Sequence, residues 1–222
     1  GLAIEPAYTN LVIYSNDLTQ ATYTKSGGAI TAGDAAVGVV GPFNLYTATA
    51  TGAYHYVHKE VVGITSGTTQ TLTAYVKAAS GATNYAVRMR MSNQYNNSGP
   101  TVCFRIDGSD GVFPVLDNAV TTNTTYGYRR LASGVYQIWI TGTWVSTSTK
   151  EFDIGVISNA LPGNAFYTAL ATDAVQISCV SLTSTNGPPG YVATTASTVA
   201  QNAESAIFND TSWMASNAQG TF

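Results

Sequence analysis

The segment Gly134–Trp144 places an aromatic side chain where the core of a β-strand does not need one. Side chains alternate between the two faces of a strand, so Trp139 falls between Gln137 and Thr141, on the face opposite the apolar residues. Those apolar residues are the expected core: Tyr136, Ile138 and Ile140. A flat aromatic surface with polar groups beside it suits a sugar ring, so we expect glycan binding. The alternative is that another strand, a loop or a neighbouring subunit covers Trp139.

Other predicted strands offer polar companions for Trp139. Alternation places Arg88, Arg90 and Arg105 on the outer faces of their strands, as it does Tyr75. If all these strands share one sheet, the guanidinium forks would suit a sugar that bears a carboxylate or a sulfate. The alternative is a surface with scattered arginines. The predicted ligand-binding residues are Trp139, Arg88, Arg90, Gln137 and Tyr75.

The sequence gives little indication of catalysis. It lacks a Gly-x-Ser-x-Gly elbow, a phosphate-binding glycine loop and a His-Glu-x-x-His motif. The two histidines, His55 and His58, lie on opposite faces of one predicted strand and cannot share a metal ion. Carboxylate pairs can meet in space rather than in sequence, so Asp107, Asp153 and Glu60 are the first to test. We expect that the chain is not an enzyme.

The composition excludes several classes of protein. Charged residues make up only 9% of the 222 residues, against about 25% in an average globular protein. With 9 Lys+Arg in all and a net charge of −3, the chain has no basic footprint for nucleic acid. It has no apolar segment long enough to span a membrane. We expect Cys103 and Cys179 to be buried free thiols, with a disulfide between them as the alternative.

Short β-type runs recur along the chain, with turn residues between them, which predicts an all-β sandwich or barrel. The segment Asp107–Gly111 could open a calcium loop, but a hairpin turn explains it better because the rest of the EF-hand pattern is missing. The predicted strands are Leu11–Tyr14, Phe43–Thr49, Tyr54–Val61, Gln70–Ala78, Asn84–Ser92, Thr101–Asp107, Tyr126–Leu131, Val135–Trp144, Glu151–Ser158 and Ala174–Thr183, with Val37–Val40 as a further candidate.

The two ends differ from the middle of the chain. Residues 1–9 are predicted to form an N-terminal arm, residues 10–186 the main domain, and residues 187–222 a linker and the start of a further domain. Pro188 and Pro189 cannot lie in a central strand. The run Thr198–Phe208 holds good helix formers with little amphipathic pattern. Because the chain starts at Gly1 rather than Met, we expect a fragment or a processed product.

Several segments, taken in order, resemble carbohydrate-binding-module-like β-sandwich domains of phage tail fibres, tailspikes and prophage structural proteins. The segment Asn10–Leu18 is similar to the family's opening "TNLLxxSxDF", and Gly134–Trp139 is similar to its "GWYRxS". Further similar segments are Tyr54–Val57, Thr71–Gly81, Phe104–Gly111, Val175–Gln176 and Gly190–Thr195. The chain departs from the pattern at Tyr23 and Val135, where the family usually has tryptophan.

The resemblance implies a jelly-roll β-sandwich of two antiparallel sheets, carried as one module of a virion appendage. It also implies contact with glycans or the host surface, and a structural calcium near the first strand, for which Asn16, Asp17 and Asp153 could supply oxygen atoms.

The resulting prediction is a non-catalytic carbohydrate-binding module of a phage or prophage fibre, extracellular on a virion appendage. Its expected partners are a cell-surface glycan and other appendage subunits, with a homotrimer as one arrangement, and neither nucleic acid nor membrane insertion. The alternatives are a structural spacer or oligomerisation module of such an appendage, and an accessory domain of a polysaccharide-degrading enzyme.

Overall fold

The computed structural model of the protein describes residues 7–38, 40–82, 86–93, 99–108, 111–115, 120–131, 134–145, 149–158 and 166–202. Within these residues the regular structure is β-strand, and none of them lies in a helix that could span a membrane. In chain order the strands are β1 (Tyr8–Asn10), β2 (Thr24–Ser26), β3 (Gly28–Ala32), β4 (Asn44–Ala48), β5 (Gly52–Tyr54), β6 (Tyr56–Val61), β7 (Thr69–Ala78), β8 (Ala86–Asn93), β9 (Thr101–Arg105), β10 (Gly111–Val115), β11 (Thr121–Arg130), β12 (Tyr136–Trp144), β13 (Lys150–Ile157), β14 (Phe166–Thr168), β15 (Ala174–Thr183) and β16 (Val199–Gln201).

Two six-stranded antiparallel sheets carry most of these strands. The first sheet has the order β10-β9-β8-β13-β6-β2, and the second has the order β11-β12-β7-β15-β4-β3. Two small two-stranded sheets, β1-β16 and β14-β5, lie beside them. The structure confirms the predicted all-β fold, a jelly-roll β-sandwich of two antiparallel sheets.

The main core lies between the two sheets, because each sheet turns one apolar face towards the other. The first sheet contributes Val57, Met89 and Ile154, each at most 1% exposed. The second sheet contributes side chains such as Leu72 and Ile138, which are fully buried in the same cluster. The period-two pattern of the strands therefore predicted the inward faces correctly.

A smaller second core covers part of the outer face of the second sheet. Val40 and Phe43, from the segment before β4, pack there with Tyr75, Val135 and Cys179. The Ser178 hydroxyl donates to the Pro42 carbonyl at 2.7 Å, which ties this segment to β15. Much of the outer face of the second sheet is therefore buried, although alternation alone would leave it in solvent.

The segment after β15 packs against the sandwich as far as the described residues extend. The Asn10 side-chain amide donates to the Val192 carbonyl at 2.9 Å, and Thr194 exchanges hydrogen bonds with Ser15. Strand β16 then pairs with β1 in antiparallel register. Residues 187–202, which the sequence assigned to a linker, thus contact the body of the domain, and the rest of the predicted linker lies outside the described residues.

The structure corrects the prediction at three places. The predicted strand Leu11–Tyr14 is a turn, because the Asn10 side chain accepts the Val12 N–H at 3.1 Å and Tyr14 has a positive φ of 54°. The described part of the helix-like run Thr198–Phe208 contains strand β16. The pair Val37 and Val40 forms an isolated bridge instead of a strand.

The sequence prediction missed the short strands, which have too few residues to show alternation: β1, β2, β3, β5, β10, β14 and β16. Strand β10 includes Pro114 and lies at the edge of the first sheet, where a residue without an N–H is tolerated. The predicted hairpin turn after β9 is confirmed, because Gly111 pairs with Arg105 in antiparallel register.

Candidate functional site

Trp139 lies on the outer face of the second sheet, as alternation predicted. Its pair on the neighbouring edge strand β11 is Gly127. A Cβ atom built on Gly127 would lie 2.4 Å from the indole Cζ2 atom and within 3.1 Å of two further ring atoms. The benzo ring of the indole therefore packs directly against the Gly127 backbone, and only a glycine leaves room for it. Trp139 is partly exposed.

Beside Trp139, a chain of hydrogen bonds leads from the surface into the sheet. The exposed Arg129 donates from Nη2 to the Gln137 Oε1 at 2.8 Å, and the Gln137 Nε2 donates to the Tyr75 hydroxyl at 3.1 Å. Gln137 is 2% exposed and Tyr75 is 7% exposed, so both lie too deep to touch a large ligand. Their role here is to hold Arg129 in place beside the indole. We call Trp139, Arg129, Gln137 and Tyr75 the Trp139 platform.

Arg88 and Arg90 do not join the Trp139 platform, because the condition that their strands share one sheet with Trp139 is not met. Their strand β8 pairs with β13 and β9 in the first sheet, whereas Trp139 belongs to the second. The two arginines therefore lie on the opposite side of the sandwich, as does Arg105 in β9. Alternation indicates the face of a strand on which a side chain lies, but it carries no information about which strands pair.

The two arginines converge on one carboxylate. The Arg88 Nε donates to Asp153 Oδ1 at 3.0 Å, Arg88 Nη2 also contacts that oxygen, and Arg90 Nε donates to Oδ2 at 2.5 Å. The guanidinium of Arg88 also lies 4.9 Å from the centre of the Tyr56 ring. All three members of this Arg88–Asp153–Arg90 triad are buried. Such geometry is typical of a structural ion-pair network.

The three predicted calcium ligands each have partners within the protein. Asp153 is the acceptor of the triad, and Asn16 Oδ1 accepts hydrogen bonds from the Tyr191 hydroxyl at 2.7 Å and the Cys179 N–H at 3.2 Å. The Asp17 carboxylate accepts from Thr19 and Gln20, and these two hydrogen bonds hold the pKa of Asp17 below its ordinary value. Among the described residues, no group of three or more His, Cys, Asp or Glu side chains could hold a metal ion. The calcium site stays a prediction.

The two histidines have separate surroundings. His55 is buried, and its Nδ1 lies 2.7 Å from the Gly27 carbonyl, while its Nε2 lies 3.1 Å from the Tyr167 carbonyl. With both ring nitrogens held by carbonyl oxygens, His55 joins the turn before β3 to strand β14. His58 is half-buried in β6, opposite Asp153 in β13.

The carboxylates first considered for catalysis lie in different places. Asp153 belongs to the triad, and Asp107 is exposed in the turn that follows β9. Glu60 is exposed at the surface of the first sheet, where its pair on β13 is Glu151. Burial raises the pKa of the Glu151 carboxyl, and the neighbouring Glu60 acts in the same direction. The three side chains do not gather at one site.

The chain matches no protein-family profile, and no curated protein matches it. Solved structures similar to it include the CBM22-1–GH10 modules of Clostridium thermocellum endo-1,4-β-D-xylanase 10B complexed with xylohexaose (12% identity, TM-score 0.42), of which this chain covers 30% with 86% of its own length. The enzymatically active domain of bacteriophage CBA120 tailspike protein 4 is also similar (10% identity, TM-score 0.44), with 78% of this chain covering 21% of that one.

The CBM22-1 xylan-binding domain of Paenibacillus barcinonensis Xyn10C has a length closer to that of this chain. The match covers 81% of this chain and 93% of that domain, with 12% identity and a TM-score of 0.42. Identities and TM-scores this low do not assign the chain to a family.

Arg129 is the residue of the site that the sequence interpretation missed. A usable pattern was present, because the predicted strands Tyr126–Leu131 and Val135–Trp144 are separated by a short turn that ends in Gly134. The Leu131 N–H donates to the Val135 carbonyl at 2.7 Å and closes this hairpin. Counting back from the turn pairs Arg129 with Gln137 and Gly127 with Trp139.

Proposed function

We propose that the chain is a non-catalytic carbohydrate-binding module that holds a glycan on the Trp139 platform. The observation that carries the proposal is the partly exposed indole packed against Gly127, with the Arg129 guanidinium held on Gln137, two positions along the same face of β12. The free face of a flat aromatic ring packs against the C–H groups of a sugar ring. The guanidinium supplies several N–H donors in a fixed plane for hydroxyl or carboxylate oxygens.

The biological setting of the proposal is an extracellular virion appendage of a phage or prophage, where the module contacts host-surface glycans. The support for this setting is the ordered set of motifs between Asn10 and Thr195, which resembles fibre and tailspike modules. The very low content of charged side chains suits a surface that reads neutral hydroxyl groups rather than a polyanion such as nucleic acid.

A glycan array tests the proposal with the wild-type chain and three variants. Removing a stacked aromatic typically costs about 1–3 kcal/mol, so Trp139→Ala should weaken binding about five- to 150-fold. Arg129→Gln should weaken it selectively for sugars that bear a carboxylate or sulfate. Phe113→Ala is the matched control, because Phe113 is a 39% exposed aromatic on the first sheet. Equal binding by wild type and Trp139→Ala, or no binding by wild type, would refute the proposal.

A second candidate function, a structural module that packs against another appendage subunit, is favoured by a separate patch. Tyr54, Phe166 and Leu170 are 40%, 51% and 59% exposed, respectively. Tyr54 and Phe166 pack edge to face with ring centres 5.4 Å apart, on the small sheet formed by β5 and β14. Sedimentation analysis distinguishes the candidates: oligomers that dissociate in Phe166→Ser support this one, and a wild-type monomer at all concentrations contradicts it.

A further inference from the structure

A cleft of about 500 Å³ opens at one end of the sandwich. It lies between the end of β7, the β11–β12 hairpin and the turn after β9, so both sheets contribute to it. Its floor is apolar, since Ala78, Ile106 and Tyr136 belong to the main core or pack against it. Ligand sites in proteins are typically concave, about 300–1,000 Å³ in volume, and apolar with a few polar groups.

Two cations line this cleft: Lys77, which pairs with Asp34, and Arg130. The Arg130 guanidinium lies 5.8 Å from the centre of the Tyr136 ring, and its Nη2 is 3.8 Å from the position of a Cβ built on Gly108. The side chain thus reaches from β11 in the second sheet towards the turn that leaves the first sheet. Within the described residues the Arg130 guanidinium has no hydrogen-bond or ion-pair partner, so its N–H donors remain open to a ligand.

Asp107 gives the cleft an acceptor to complement this donor. It lines the same cleft and is exposed. A carboxylate accepts hydrogen bonds and a guanidinium donates them, so the two groups together can bind neighbouring hydroxyl groups, each of which does both. Gly134 at the rim has no atom within 4 Å of its Cβ position, which leaves the entrance open on that side.

We propose that this cleft binds a mono- or disaccharide end of the glycan, with Arg130 and Asp107 holding adjacent sugar hydroxyls above the Tyr136 floor. The proposal rests on the function proposed above and adds a second subsite to it. Arg129 and Arg130 are consecutive in β11 and therefore point to opposite sides of the strand. One serves the flat platform on the outer face, and the other serves the cleft at the sandwich end.

An NMR titration tests this proposal with D-glucose, D-galactose, N-acetyl-D-glucosamine, D-glucuronate and inorganic phosphate as separate probes. At least one neutral sugar should shift the backbone amides of Ala78, Ile106 and Tyr136, and it should still do so in Trp139→Ala. Arg130→Gln and Asp107→Asn should each weaken this binding about tenfold, since each removes hydrogen bonds to the sugar. Lys25→Gln is the control, because Lys25 lies in β2, at the edge of the first sheet opposite β10, and it should bind the probes as wild type does. The amide spectrum of each variant reports its fold.

Either of two results of the titration would overturn the proposal. The first is that no sugar shifts the cleft amides. The second is that only glucuronate and phosphate bind and Asp107→Asn does not weaken them, which would make the cleft a simple anion site. The glycan array tests the platform separately. If Trp139→Ala lost binding on the array and Arg130→Gln did not, the cleft proposal would be refuted and the platform proposal would stand.

Discussion

The Arg88–Asp153–Arg90 triad predicts a large effect of a small substitution. Asp153 is 1% exposed, and both of its carboxylate oxygens accept hydrogen bonds from guanidinium groups that are themselves buried. Asp153→Asn keeps the shape of the side chain but removes its charge. Two buried guanidinium groups then lose the anion that offsets their desolvation.

The size of the effect follows from the burial of all three partners. Breaking a buried ion pair by removing one partner costs about 3–5 kcal/mol. For a chain of this size a loss of 1 kcal/mol lowers Tm by about 2–4 °C, so Asp153→Asn should unfold about 6–20 °C below wild type. Circular dichroism during heating measures this shift, and urea unfolding gives the free energy independently.

Asp34→Asn is the matched control for this measurement. Asp34 pairs with Lys77, but its side chain is 55% exposed, and exposed ion pairs contribute about 0–1 kcal/mol. If Asp153→Asn lost no more stability than Asp34→Asn, the structural role of the triad would be refuted. A chelator adds a further distinction: calcium held by Asn16, Asp17 and Asp153 would make the wild-type Tm fall on addition of EDTA.

Three further predictions concern the platform, a half-buried acid and a buried thiol. Gly127→Ala should weaken glycan binding as Trp139→Ala does, because the new Cβ forces the indole off the strand; calorimetry that finds unchanged affinity would contradict this. Burial raises the pKa of Glu151 in the folded state, so its contribution to stability is present below the unfolded pKa and lost as pH rises through the folded pKa. Glu151→Gln should therefore be more stable than wild type at neutral pH and equal to it at acid pH, and urea unfolding that shows no such difference would argue against it. Burial also raises the pKa of the Cys179 thiol, so iodoacetamide should label it slowly before unfolding and rapidly afterwards, as mass spectrometry would show; rapid native labelling would be the contrary result.

The orientation of Trp139 could be predicted because it depends on local sequence alone. Ile138 and Ile140 are apolar and face the core, and because side chains alternate along a strand, Trp139 between them faces outwards. The same logic correctly placed Arg88 and Arg90 on the outer face of β8, on the side opposite the inward-facing Met89.

Strand partners could not be predicted in the same way. The Arg88–Asp153 contact joins residues 65 positions apart, and nothing in the alternation of β8 or β13 states that they pair. Either sheet would have buried Met89 equally well. The burial of Tyr75 and Gln137 could not be predicted for a related reason. Segments distant in sequence, such as that of Val40 and Phe43, cover this part of the sheet, and strand alternation does not predict where such segments pack.

The β11–β12 hairpin shows where sequence and function are linked most directly in this chain. Its register pairs Gly127 with Trp139, Arg129 with Gln137 and Arg130 with Tyr136. A slip of one residue would exchange the faces of the two arginines, so that Arg130 would lie towards the platform and Arg129 towards the cleft. It would also replace Gly127 beneath the indole with a tyrosine from either side. The short turn that closes the hairpin sets this register. It therefore determines that Gly127 lies against Trp139, that Arg129 lies on the platform side and that Arg130 lies on the cleft side.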